Sequence, residues 1–158
     1  MKKDPLTFEQ KKAFLQDLDY AAVQACSLLY IQDFKVKSSD LDEFQLSIIH
    51  DSLIESSLLF LRKINEFFGC KRDACRATDF IPEYKSGFLF ESKKDKELVD
   101  NHVCHITYEN VLNGKKDWAD FLKLYVPKAK DMFITFCHSL NDTSPEYFKD
   151  FIPVFFRK

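Results

Sequence analysis

Between Asp40 and Gly69 the chain contains neither glycine nor proline, and all 158 residues together hold only 3 Gly and 5 Pro. Glycine and proline punctuate turns, so a chain poor in both has few reversals and long elements. Long elements in a chain of this size are helices, because strands average only about five or six residues. The apolar residues of the stretch agree. Leu46, Ile49, Leu53, Phe60, Ile64 and Phe67 recur at helical spacing, and Ile54, Leu58, Leu61 and Phe68 widen the stripe. Ser39 or Asp40 can cap its start, and Gly69 fits the residue after its end. At about 1.5 Å per residue this helix is about 40 Å long, enough to run the length of a bundle.

The flanking segments carry further helix signals. Thr7 and Gln10 have capping-box spacing, and Phe8, Leu15, Leu18, Ala22, Ala25, Cys26 and Leu29 follow with helical period. This first helix fades near Asp33 or Phe34, and a polar connection covers 35–39. Residues 69–92 read as irregular, with local apolar anchors at Phe80-Ile81 and Phe88-Leu89-Phe90. A third main helix begins near Ser92, turns Leu98, Val99, Val103 and Ile106 inward, and stops at Asn113-Gly114. Asp117 caps a fourth, whose stripe runs from Trp118 to Leu140. Pro127 lies within that stripe, so one kinked helix is expected, ending at Asn141. Ser144-Pro145 opens a short last helix to about Ile152. The expected fold is all-α: an antiparallel four-helix bundle plus a short C-terminal helix, in a single domain of residues 1–158 with its bundle over about 7–141.

Composition narrows the function classes. Apolar residues make up 46% and the formal net charge is -2, which excludes a disordered chain, a generally basic nucleic-acid coat and a strongly acidic tail. No apolar run reaches the roughly 20 residues needed to span a bilayer, so no membrane partner is expected. Five widely spaced cysteines without a secretory signal read as reduced thiols in a cytoplasmic protein. Cys70 and Cys75, with His102, Cys104 and His105 later in the chain, lack the tight pairing of a structural zinc site. No metal and no cofactor is expected.

Two polar clusters are candidates for chemistry. On the second helix Asp51, Glu55, Arg62 and Glu66 follow at spacings of four, seven and four, along one face. A solvated face with intrahelical ion pairs accounts for this pattern. If the arginine and a carboxylate are partly buried, they need partners from another helix, and the third is the natural source. That helix carries Asp100, Asn101, His102, His105, Tyr108 and Glu109. Asn101 and His105 share a face one turn apart. A histidine there could act as acid or base with the asparagine positioning a substrate, or could be a hydrogen-bonded histidine at the bundle edge.

The segment Val99-Asp100-Asn101-His102-Val103-Cys104-His105-Ile106-Thr107-Tyr108-Glu109 resembles the His-bearing helix of bacterial proteins of the HEPN superfamily, the higher eukaryote and prokaryote nucleotide-binding domain. The stretch from Glu55 to Phe68 resembles the partner helix, and the order of elements over about 40–140 is similar too. The resemblance implies a four-helix bundle, often dimeric, with the His helices paired at the dimer interface. It also implies metal-independent RNA cleavage in active members, frequently in toxin-antitoxin or phage-defence systems. In that chemistry a base takes the 2'-hydroxyl proton, the oxygen attacks the adjacent phosphate, and a cation stabilises the added charge.

By the resemblance His105 fills the histidine slot and Asn101 the polar slot. The arginine slot falls on Leu98, Val99 or Asp100, and an aspartate there repels phosphate. Arg62, from the facing helix, can supply the missing cation. The candidate catalytic set is therefore His105, Arg62, Asn101 and Glu55, with His102, Tyr108 and Asp51 as candidate substrate-binding residues. Three readings stay open: a nucleic-acid-processing protein of ribonuclease type, a non-catalytic module that binds nucleotide, RNA or protein through the same groove, and a purely structural bundle. RNA or a nucleotide and a second copy of the chain are the expected partners.

Overall fold

The computed structural model describes residues 5–32, 42–69, 75–85, 87–104 and 118–157, with no side-chain description for 27–32 and 102–104. Every regular element among these residues is helical: α1 (Phe8–Gln32), α2 (Glu43–Phe68), the short α3 (Ala77–Phe80), α4 (Lys93–Cys104) and α5 (Ala119–Thr143), followed by 3-10 turns at Pro145–Phe148 and Val154–Phe156. Among the described residues no helix is long and apolar enough to cross a membrane.

Local chemistry explains the boundaries. At the start of α1 the Gln10 N–H donates to Thr7 Oγ1 (3.2 Å) and the Thr7 N–H donates to Gln10 Oε1 (2.9 Å), so two orphan amides satisfy each other's side chains. The same reciprocal box opens α2, but on Asp42 and not on Ser39 or Asp40. The Gln45 N–H donates to Asp42 Oδ1 at 2.8 Å and the Asp42 N–H to Gln45 Oε1 at 3.1 Å. Gly69 ends α2 as expected, with its N–H donating to the Asn65 carbonyl. Its φ of -80° suits any residue; what demands glycine is space, since a Cβ would lie 2.6 Å from the Phe88 ring. Ser92 Oγ accepts the Asp95 N–H (3.0 Å) and opens α4. The expected stops at Asn113-Gly114 and the cap at Asp117 lie outside the described residues.

α5 passes through Pro127 without interruption and ends two residues beyond Asn141. The expected last helix is replaced by the two 3-10 turns, because Pro145 starts helical geometry but Pro153 closes the segment eight residues later.

α1 and α2 run antiparallel. Phe14 meets Phe67 (ring centroids 5.7 Å apart) while Tyr20 meets Phe60 (5.6 Å), so numbers rise along one helix as they fall along the other. The core gathers Leu15, Leu18 and Ala22 of α1, Leu58, Leu61 and Ile64 of α2, and Leu122, Phe133 and Leu140 of α5. At its centre the Phe136 ring presents edges to Phe67, Phe68, Phe80 and Tyr84, with centroids 5.1, 5.9, 5.8 and 5.4 Å away. Edge-to-face pairs of this kind add to the area they bury. The buried stripe of α2 sits further along the helix than the sequence pattern implies. Its buried positions run from Ser57 to Phe68, whereas Phe44 (73%), Ile48 and Ile49 are exposed.

Candidate functional site

Three pins set α4 against its neighbours. Asn65, 2% exposed, turns its Oδ1 toward the loop that leads into α4 and accepts the Leu89 N–H at 2.9 Å and the Phe90 N–H at 3.2 Å. Asp95 at the start of α4 accepts the Tyr125 hydroxyl proton at 2.7 Å, fastening α4 to α5. Burial and that bond push the Tyr125 hydroxyl up to about 12, so it stays a donor across the physiological range. The third pin is polar and lies between α2 and α4. Arg62 Nε approaches Asp100 Oδ1 at 2.9 Å and Glu66 Oε1 at 3.4 Å, while Lys96 Nζ approaches the other Asp100 oxygen at 2.8 Å.

This seam brings together Arg62 and Asp100, two of the polar residues singled out in the sequence. Their side chains keep about a quarter of their exposure (26% and 28%), so solvent still screens the pair and its net worth is about 1 kcal/mol. Both Asp100 oxygens are engaged by cations. Arg62 of α2 and Lys96 of α4 thus share the Asp100 carboxylate, which ties the two helices together. Asn101 is half-buried on the next α4 position.

The other candidates distribute differently. Glu55 is exposed on α2, two turns before Arg62. Asp51 is half-exposed one turn earlier still, with His50 Nδ1 at 3.8 Å. His105 and Tyr108 lie outside the described residues, and of His102 only the helical backbone is described. Among the described residues no group of three or more His, Cys, Asp or Glu is arranged to hold a metal ion. Burial pushes the Cys26 and Cys75 thiols up to about 11 and Cys137 higher still, so these thiols are protonated at neutral pH and poor nucleophiles.

Asn65 and the Asp95–Tyr125 contact have no place in the sequence reading. Asn65 did carry a signal, as the polar residue between Leu61 and Phe68 on an otherwise apolar face. No protein-family profile matches this chain, and no curated protein or solved structure is detectably similar to it.

Proposed function

We propose that the chain is a HEPN-like four-helix bundle, antiparallel in its main helices, that binds RNA or a nucleotide at the seam between α2 and α4 without cleaving it. The observation that carries this reading is the Arg62–Asp100 contact of 2.9 Å. It supports a cation at the slot where the family motif has its arginine, supplied by the neighbouring helix. It also favours binding over catalysis. A cation that stabilises an added phosphoryl charge must be aimed at that charge when it forms. Here Glu66 lies 3.4 Å from the guanidinium and Asp100 closer still, so a phosphate has to compete with carboxylates already in place. His105, Asn101 and Glu55 complete the proposed site, with His102, Tyr108 and Asp51 around it.

The proposed assembly is a homodimer in the cytoplasm. Exposed Phe44, Ile48 and Ile49 on the first turns of α2 support self-association, since water contact with clustered apolar side chains is unfavourable.

The test is incubation of the purified protein with total RNA in EDTA, alongside Arg62→Ala and His105→Ala. The expected result is intact RNA in every lane, a mobility shift with the unaltered protein and a weaker shift with Arg62→Ala. Metal-free cleavage that disappears in His105→Ala overturns the binding-only reading and installs a ribonuclease in its place. Absence of any shift leaves the structural bundle.

A further inference from the structure

A concave site lies between the end of α5 and the C-terminal 3-10 turns. It encloses about 300 Å³, the lower end of the range for small-molecule sites. α5 supplies Cys137, His138 and Asn141, and the C-terminal segment supplies Phe148, Ile152 and Phe156. Polar bonds hold the C-terminal wall in place. The Val154 N–H donates to the buried Asp19 carboxyl of α1 at 2.9 Å, and Asp150 pairs with Lys12 of α1 at 2.8 Å. The segment is thus tied to α1 on both sides of Ile152, whose own carbonyl accepts from Arg157 Nε at 3.0 Å.

The site offers both apolar and polar groups to a ligand. Ile152 keeps 57% exposure although it is apolar. Phe148 makes no ring pair among the described residues, whereas Phe156 already meets the His138 ring nearly edge-on, with centroids 4.8 Å apart. The Asn141 amide and the His138 imidazole lie one turn apart on one face of α5, both exposed and neither hydrogen-bonded among the described residues. Charge and hydrogen bonding then select the ligand. No Asp, Glu, Lys or Arg lines the site, and burial keeps the Cys137 thiol protonated. A charged ligand entering it leaves water without meeting an opposite charge, which is unfavourable. An asparagine side chain both donates and accepts, and so does a neutral imidazole. The group that matches the pair is a hydroxyl, which gives one hydrogen bond and takes another; a carboxylate only accepts and an ammonium only donates.

We infer that this site binds a small uncharged phenol, its ring packed on Phe148 and Ile152 and its hydroxyl hydrogen-bonded to Asn141 and His138. The ring covers apolar surface that water now touches, pairs with the unpaired Phe148 ring and gains a soft contact with the Cys137 sulfur. This inference is independent of the RNA-binding reading, because no residue that lines the site belongs to α2 or α4.

The experiment is an NMR titration of the isotope-labelled full chain, at about pH 8, with p-cresol, toluene, 4-methylcyclohexanol, p-toluate and 4-methylbenzylamine. p-Cresol is expected to shift the amides of 137–141, Ile152 and Phe156 saturably. It should bind about fivefold more tightly than toluene, the worth of one neutral hydrogen bond, and more tightly than the alicyclic alcohol and both charged analogues. Asn141→Leu, at an exposed position, should erase the advantage of p-cresol over toluene and leave toluene itself unchanged, which a loss of fold would not do. Ile152→Ser, also at an exposed position, should weaken p-cresol and toluene alike. No saturation at millimolar p-cresol, equal binding of p-cresol and any of the other four compounds, or an undiminished preference for p-cresol over toluene in Asn141→Leu each overturns the inference. Shifts of the same amides that follow protein concentration without ligand would place a second copy of the chain on this face, and overturn it too.

Discussion

Replacing Asn65 by leucine isolates a single polar contribution to the placement of α4. The two side chains share the same branched skeleton of four heavy atoms and leucine is the bulkier, so no cavity forms, but the Oδ1 acceptor disappears. The Leu89 and Phe90 amides then lose their partner in a region where both residues are buried (0% and 4% exposed). Each buried N–H left without an acceptor costs about 1–3 kcal/mol, so the gross loss for the two is about 2–6 kcal/mol. The leucine recovers part of this through its own apolar burial, which brings the expected net loss toward the lower end of that range. Urea unfolding at 25 °C gives the number, with an unchanged m-value as the sign that the denatured ensemble is the same. Amide exchange gives the location: Leu89 and Phe90 should lose protection before the α1 core does. A loss below about 0.5 kcal/mol, or exchange at the two amides no faster than in the unaltered protein, would refute the claim that Asn65 fixes the entry to α4.

Other perturbations act on the core and on buried polar groups. Phe136→Ala empties the centre of the ring cluster and should cost about 3–5 kcal/mol in the same urea assay. Ser57→Ala should cost nothing measurable in thermal unfolding, because Ser57 Oγ is buried with no hydrogen-bond partner among the described residues. Burial raises the Asp19 carboxyl above its ordinary 3.8, against the opposing pull of the Val154 N–H that it accepts at 2.9 Å and of Arg157. The folded state therefore binds the Asp19 proton more tightly than the unfolded state, and wild-type stability falls as that proton leaves. Relative to wild type, Asp19→Asn should gain stability between about pH 4 and pH 7 and converge with it below about pH 3, as read by unfolding at a series of pH values.

Much of the helical framework was legible because it rests on short-range chemistry. The Thr7–Gln10 box, the Ser92 cap and the Gly69 stop are signals within three or four residues, and each appears where the spacing puts it. The stripe from Trp118 to Leu140 is buried almost position for position, since a 3.6-residue period survives Pro127. The start of α2 was misplaced by two or three residues although Asp42 and Gln45 have the box spacing, because Ser39 and Asp40 offer competing caps. The buried face of α2 was misjudged for a different reason. Periodicity tells which residues share a face, but not how much of that face another element covers, and the first turns around Phe44 and Ile48 are left exposed.

The candidate site was legible only in part. The need of Arg62 for a partner on the third main helix follows from the sequence, yet the identity of that partner does not. Asp100 lies 38 residues further on, and in the sequence it reads as a charge hostile to phosphate rather than as the group that draws Arg62 across. Asn65 binding the backbone of 89 and 90 is likewise a contact between distant segments, with no local period to announce it.

The role proposed for Arg62 is that of the phosphate-contacting cation of the α2–α4 seam, held in check by Asp100. Binding of a single-stranded RNA measured against salt concentration for wild type, Arg62→Ala and Asp100→Asn tests it most directly. One phosphate contact changes the slope of log affinity against log salt by about 0.7. Arg62→Ala should weaken binding and flatten the slope by about that amount, and Asp100→Asn should strengthen binding and steepen it. Identical affinity and slope in all three proteins would contradict the account.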